Sequence, residues 1–299
     1  NDPFAGISKN DKPINLQKYG FFQEQRELFK EVADELGLLR VSGIYKDDLA
    51  YSRHPLAFLM EAADDIAYRM NDFEDGIRLD LIDFDKPYTL YINKKAKKEK
   101  DNTQTIKISP EQILIEIASI DNNFDYKGVD GKSDKDRLVY LRGVVINTLI
   151  HETFKAYSDN YDLIMKGEFN LSLLDAVAES KISSNLFLMR SLIEDHVYSY
   201  LPVLENEAAG FDILGNLIND FAITTNICIS CGDEETAKQK KIRSLLPKEF
   251  QPEKEVLLKV VDFDERYKRV LKILDFISGM TDSYAINKYK KIHGIEISR

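Results

Sequence analysis

The run from Arg53 to Gly76, RHPLAFLMEAADDIAYRMNDFEDG, constrains the fold more than any other stretch of the chain. Placed on a helix, Glu61, Asp64, Asp65, Tyr68, Asp72 and Asp75 fall at i, i+3, i+4, i+7, i+11 and i+14, which is one polar stripe. Leu56, Leu59, Met60, Ala63, Ile66, Ala67, Met70 and Phe73 cover the remainder and are able to pack against neighbours. Carboxylates three and four residues apart repel by about 0.2–0.5 kcal/mol per pair on an exposed helix. Arg53 and Arg69 are the only Lys or Arg within the segment, so positive charge is expected to face the stripe from outside it.

The rest of the chain repeats the helical period. Phe22, Leu28, Phe29, Val32, Leu36 and Leu39 mark a helix within Lys18–Leu39 that ends near Gly37, and Pro55 marks the first turn of the acidic-stripe helix. Ser109-Pro110-Glu111 opens another with a serine cap and a proline at its first position. Leu141, Val144, Val145, Thr148, Leu149, Glu152, Thr153 and Phe154 carry a helix from Arg137 to about Asp159. Ser184–Tyr200 and Leu204–Phe221 read as two helices split near Pro202. Thr236–Phe250, Glu253–Met280, with Val261, Tyr267, Val270, Leu274 and Ile277 inward, and Thr281–Ile292 complete the series. The exception is a small strand insertion near residues 88–108, where Tyr88–Ile92 suits a short strand and Lys94, Lys95, Lys97, Lys98 and Lys100 suit a solvated tip. The expected fold class is all-α.

At 299 residues and 43% hydrophobic composition the chain can bury a sizeable core. A net charge of -10 argues against bulk electrostatic binding to nucleic acid or acidic membranes. No apolar run approaches the roughly 20 residues of a membrane span, and no signal-peptide pattern opens the chain, so a cytoplasmic protein with no membrane partner is expected. Cys228 and Cys231 form a lone C-x-x-C without the second half that a structural zinc site needs, and read as a reduced thiol pair.

The string RHPLAFLMEAADDIAYRMNDFEDG, with KYGFF before it and ENEAAG and DFISGMTDSYA after it, resembles the deoxyguanosinetriphosphate triphosphohydrolase (dGTPase) family of HD-domain phosphohydrolases. The resemblance runs in order from about Lys18 to the C-terminus. It implies part of an HD-type helical bundle and metal-dependent hydrolysis of dGTP or another deoxynucleoside triphosphate to deoxynucleoside and tripolyphosphate. Asp64 matches the distant metal-ligating aspartate, Tyr68 and Asp72 match residues that contact the deoxyribose, and Lys18 matches a triphosphate-binding lysine. Arg142 is a weaker phosphate candidate. Tyr198 matches an aromatic of the base pocket, and Glu207 an acid able to accept from the guanine edge. The family also implies a hexameric or tetrameric homo-oligomer and a nucleotide or single-stranded DNA effector.

The departure from the family is in its histidines. His54, His151, His196 and His293 are the four in the chain, and none is followed by Asp. In relatives of this type the His and His-Asp metal ligands, and the catalytic His and Glu, precede KYGFF. The Mg²⁺ or Mn²⁺ of the family would therefore need ligands from an absent N-terminal segment, with no catalytic residue in this chain. The expected organisation is residues 1–80 as the C-terminal part of the catalytic core, 81–135 as a loop-rich insertion, and 136–299 as a helical region completing the pocket. Two functions fit: a portion of a dNTP triphosphohydrolase inactive by itself, or a nucleotide-sensing or scaffold protein that keeps the pocket without the metal.

Overall fold

A computed structural model describes residues 14, 20–41, 50–93, 103–129, 131–177, 180–230, 236–251 and 263–295. Lys18, Ser42, Gly43, the lysines of 94–100, Cys231 and Val261 lie outside them. The described residues form an all-α chain with one two-stranded sheet, and no helix among them is long and apolar enough to cross a membrane. The chain divides into two compact units, Asn1–Ser199 and Tyr200–Arg299.

In the first unit the acidic-stripe helix is α2, Pro55–Arg78; α1, Arg26–Glu35, precedes it. Its start is built as its residues dictate. Extended His54 caps it by accepting the Leu56 amide on Nδ1 at 3.2 Å, and Pro55 occupies the first turn, where its missing N–H costs nothing. At the other end Leu81 N–H donates to Gly76 C=O at 2.9 Å and Asp80 N–H to Ile77 C=O at 3.1 Å, the paired bonds of a Schellman motif. Asp80 sits in its left-handed position, with φ of 56°, where glycine is usual.

The inward face of α2 runs through Phe58, Ala62, Ile66, Met70 and Phe73, in steps of four and three. Its first half packs with Ile164, Phe169 and Leu173, the Phe58 and Phe169 rings meeting edge-on at 5.4 Å. Its second half joins the larger core with α3 (Pro110–Ala118), α4 (Asp134–Asp159) and α6 (Ser180–Leu192). Complete burial of Phe73 and Met70 stabilises by roughly 1.5–3 kcal/mol each. Leu56, Met60, Ala63 and Ala67 depart from the sequence expectation: they stay exposed, Met60 to 72%, because no described element of the unit packs along that side.

Strands β1 (Tyr88–Asn93) and β2 (Thr103–Ile108) pair antiparallel, Tyr88 opposite Ile108 and Asn93 opposite Thr103, and bury Leu90 and Ile108 in the same core. Arg137, near the start of α4, ties the loops to the bundle by bonding Asp85 at 2.9 Å, Asp134 at 2.8 Å, and Glu111. After α4 comes the short α5, Tyr161–Met165. The α4 seam is Leu138, Leu141, Val145, Thr148, Leu149, Thr153 and Ala156, and Phe154, one residue off it, is exposed. The last turn after α6 is π-helical, Ile193–Tyr198.

The second unit comprises α7 (Leu201–Ser230), α8 (Ala237–Ser244), α9 (Phe263–Ser278) and α10 (Asp282–Ile292). Pro202 falls in the first turn of α7. Leu217, Phe221, Ile242, Leu246, Ile273, Phe276, Ile277 and Ala285 form its core, with Phe221 edge-on to Phe276 at 5.7 Å. On α9 the buried seam includes Ile273 and Phe276, with Leu274 partly outside it. Asp212 accepts from the Tyr289 hydroxyl at 2.9 Å, joining α7 to α10.

Candidate functional site

On α2 the residues opposite the buried seam are Asp64, Tyr68 and Asp75, all exposed, Tyr68 to 62%. Asp72 lies toward one flank and is half-buried. The π-helical turn comes against that flank, and the Tyr198 hydroxyl donates to the Asp72 carboxylate Oδ2. The structure therefore brings together two candidate site residues 126 positions apart in sequence, and places Tyr68 and Asp64 one and two turns along the same helix.

The Tyr198 ring is 48% exposed while its hydroxyl end is held against Asp72. Burial, then the hydrogen bond to Asp72 and the nearby carboxylate charges of Asp72 and Glu194, push its hydroxyl up to about 12, with Arg190 opposing. The proton stays on the phenol, so Tyr198 donates and Asp72 accepts throughout the physiological range. One oxygen of Asp72 is thereby engaged, which leaves the other to accept from a ligand hydroxyl. Ser199 Oγ donates to the Glu194 carbonyl at 2.7 Å, and Arg190 Nε lies 2.7 Å from Glu194, bracing the turn.

Arg142 lies on α4 facing α2. Its Nη2 donates to Asn71 Oδ1 at 3.1 Å and its Nε lies 3.0 Å from Glu74 Oε2. Glu74, also 2.6 Å from Arg78, is the buried carboxylate of α2. Asn71, Glu74 and Gly76 escaped the sequence reading; only the spacing of Asn71 and Glu74, i and i+3, hinted that one partner could span both. Glu61 pairs with Arg53, as a structural carboxylate should.

Glu207 stands exposed on α7 in the second unit, and Lys18 falls outside the described residues. For a divalent metal the described residues supply Asp64 and too little else: no group of three His, Cys, Asp or Glu among them could hold an ion. One carboxylate does not make a metal site, so this set does not fit the metal that the resemblance implies.

No family model matches the chain. Curated relatives do. It is 31% identical over 283 residues to a deoxyguanosinetriphosphate triphosphohydrolase-like protein of Synechocystis sp., covering 95% of this chain and 54% of that protein. It is 28% identical over 305 residues to a protein of the same name from Listeria monocytogenes, covering 98% and 58%. A deoxyguanosinetriphosphate triphosphohydrolase of Salmonella typhimurium is 26% identical over 299 residues, covering 94% and 54%. The chain thus spans little more than half the length of these relatives. Over the span it shares with them, the chain belongs to the deoxyguanosinetriphosphate triphosphohydrolase family.

Proposed function

We propose that this chain is the sugar- and base-recognising portion of a dGTP or dNTP triphosphohydrolase, which cleaves a deoxynucleoside triphosphate to deoxynucleoside and tripolyphosphate. The observation that carries the reading is the hydrogen bond from Tyr198 to Asp72, on the helix that also presents Tyr68 and Asp64. Asp72 accepts from the sugar 3′-hydroxyl, Tyr68 packs on the ribose, and Tyr198 sits toward the base. A buried hydroxyl with no partner is costly, so an apolar wall where a 2′-hydroxyl would fall explains a deoxy preference. Lys18 and Arg142 serve the phosphates, and Glu207 the guanine edge. Residues 1–80 belong to the catalytic core, 81–135 to an insertion, and 136–299 to the remainder of the pocket. Mg²⁺ or Mn²⁺ would need ligands beyond Asp64 from outside the described residues. Hexameric or tetrameric assembly and a nucleotide or single-stranded DNA effector belong to the same proposal.

The isolated 299-residue chain is expected to release no tripolyphosphate from any dNTP or from GTP with Mg²⁺ or Mn²⁺ present. Turnover by the chain alone overturns this division of ligands. Joined to coding sequence that lies in frame upstream of Asn1, it is expected to hydrolyse at least one dNTP, and Asp64→Ala to abolish that turnover. That no two further His, Cys, Asp or Glu among the described residues converge with Asp64 on a metal-sized site is the observation behind a second reading, a nucleotide sensor or scaffold without a metal. Binding of dGTP without hydrolysis by the extended protein supports that alternative.

A further inference from the structure

Three consecutive residues of the π-helical turn hold two elements of the first unit, β1 and α2. His196 meets the Tyr88 ring edge-on at 5.1 Å, Val197 lies against Gly76, and Tyr198 donates to Asp72. Gly76 and Asp72 stand at i+4 and i on α2, so Val197 and Tyr198 engage successive turns of one helix. There is no spare room at the first of these contacts. A Cβ on Gly76 would come 2.7 Å from Val197 Cγ2 and 2.9 Å from Ile82 Cδ1. Ile82 is itself drawn in, because its amide donates to the Gly76 carbonyl at 3.0 Å and its side chain is buried. Glycine inside a helix is less favourable than alanine, so helical propensity does not explain its presence. Close approach of the π turn does. Such turns insert one extra residue into a helical ladder and re-aim the side chains that follow.

We propose that Gly76 is a positioning residue for Asp72: by carrying no side chain it lets the π-helical turn seat deeply enough for the Tyr198 hydroxyl to fix the Asp72 carboxylate. A side chain at position 76 lifts the turn at Val197 and parts Tyr198 from Asp72. The consequence for ligand binding rests on the reading of Asp72 as the sugar-recognising carboxylate; the geometric coupling does not.

The test places 3-fluorotyrosine at position 198 of the 299-residue chain and follows its ionisation by fluorine NMR. In the parent chain the midpoint lies above that of free fluorotyrosine, because the phenol is hydrogen-bonded to a carboxylate. Gly76→Ala is expected to lower it by about one pH unit, a tenfold rise in ionisation constant. Adding Val197→Ala removes the nearer obstruction and leaves only the far end of the Ile82 side chain to shift, so most of the fall in midpoint is expected to be recovered; a purely structural glycine would not give that rescue. An unchanged midpoint in Gly76→Ala, or no recovery in the double variant, overturns the proposal. If Gly76→Ala does not fold, Val197→Leu pushes on the same contact from the other side, and the same fall in midpoint is expected. Failure of both to fold overturns the proposal, since position 76 would then be a folding requirement. In the extended protein Gly76→Ala should raise KM for dGTP about tenfold with a smaller change in kcat, the loss expected for one hydrogen bond to a charged group. An extended protein that turns over no dNTP removes the functional reading while leaving the midpoint shift intact; turnover with an unmoved midpoint removes the positioning role instead.

Discussion

Replacing Arg142 by leucine tests whether its pairing across α2 and α4 is structural. The Glu74 side chain is only 8% exposed and lies between Arg142 Nε at 3.0 Å and Arg78 Nη2 at 2.6 Å. Removing one partner of a fully buried ion pair costs roughly 3–5 kcal/mol when the other charge is stranded, an upper bound here because the Arg142 side chain is itself 36% exposed. Glu74 would not be stranded, since Arg78 remains. That side chain is 47% exposed, however, and solvent screens its compensation. About half the penalty, near 2 kcal/mol, is therefore expected, plus some part of the roughly 1 kcal/mol carried by the Asn71 hydrogen bond. A loss of about 2–3 kcal/mol is a large share of the 5–15 kcal/mol typical of a folded domain. Urea denaturation gives the total, and hydrogen exchange of the α2 and α4 amides assigns it to the first unit. A cycle with Glu74→Leu should show coupling of about 1 kcal/mol or more, because the second substitution removes the charge that the first exposes. A change within about 0.5 kcal/mol for Arg142→Leu, the range of an ordinary surface substitution, refutes this account.

Asp80→Gly should stabilise the chain by about 1 kcal/mol in thermal or urea unfolding, because Asp80 holds φ of 56° in the left-handed cap of α2. The Tyr198 hydroxyl is raised in the folded chain to about 12 from the ordinary value near 10, so the folded state holds that proton more tightly and stability falls with rising pH. The stability gap between the parent and Tyr198→Phe should be constant below about pH 10 and shrink from there toward about 12, as read by unfolding at a series of pH values; a gap flat across that window contradicts the hydrogen bond to Asp72. Asp64→Asn should leave the isolated chain unchanged or stabilise it by about 0.2–0.5 kcal/mol by relieving repulsion within the stripe, while Asp72→Asn destabilises it. Equal losses for the two would mean that Asp64 is a structural carboxylate.

The features legible in the sequence are those that depend on neighbours along the chain. His54 and Pro55 announce the start of α2, Ser109 and Pro110 that of α3, and Tyr88–Ile92 a strand, because caps, missing amides and period-two patterns are local. What stayed hidden is set by distant partners. Phe154 belongs to an apolar run, yet the seam that meets the core passes through Thr153 and Ala156, and one residue around a helix turns a side chain by about 100°. Phe22, Leu28, Val32 and Leu36 keep helical spacing and are exposed, so the period marked the helix without marking what it meets. Nothing in Ile-Glu-Asp-His-Val-Tyr signals a π turn; its register comes from Gly76 and Asp72, far back in the chain.

The charge on α2 shows how the two kinds of information combine. Its sequence poses a surplus of carboxylates on one stripe, and the fold answers them unequally. Glu61 takes Arg53, Glu74 takes Arg78 and Arg142, and Asp72 takes the Tyr198 hydroxyl, so the carboxylates with these partners each gain an internal partner. Asp64 and Asp75, on the side away from the core, have no ion pair among the described residues. A carboxylate left unpaired beside others is a small cost to folding that packing does not recover. Negative charge exposed at Asp64, one turn before Tyr68 and two before a carboxylate held by the Tyr198 hydroxyl, is the arrangement on which the proposed cation and sugar sites rest. Under that proposal whatever covers Asp64 brings positive charge, because burying an unpaired carboxylate beneath an apolar surface is costly.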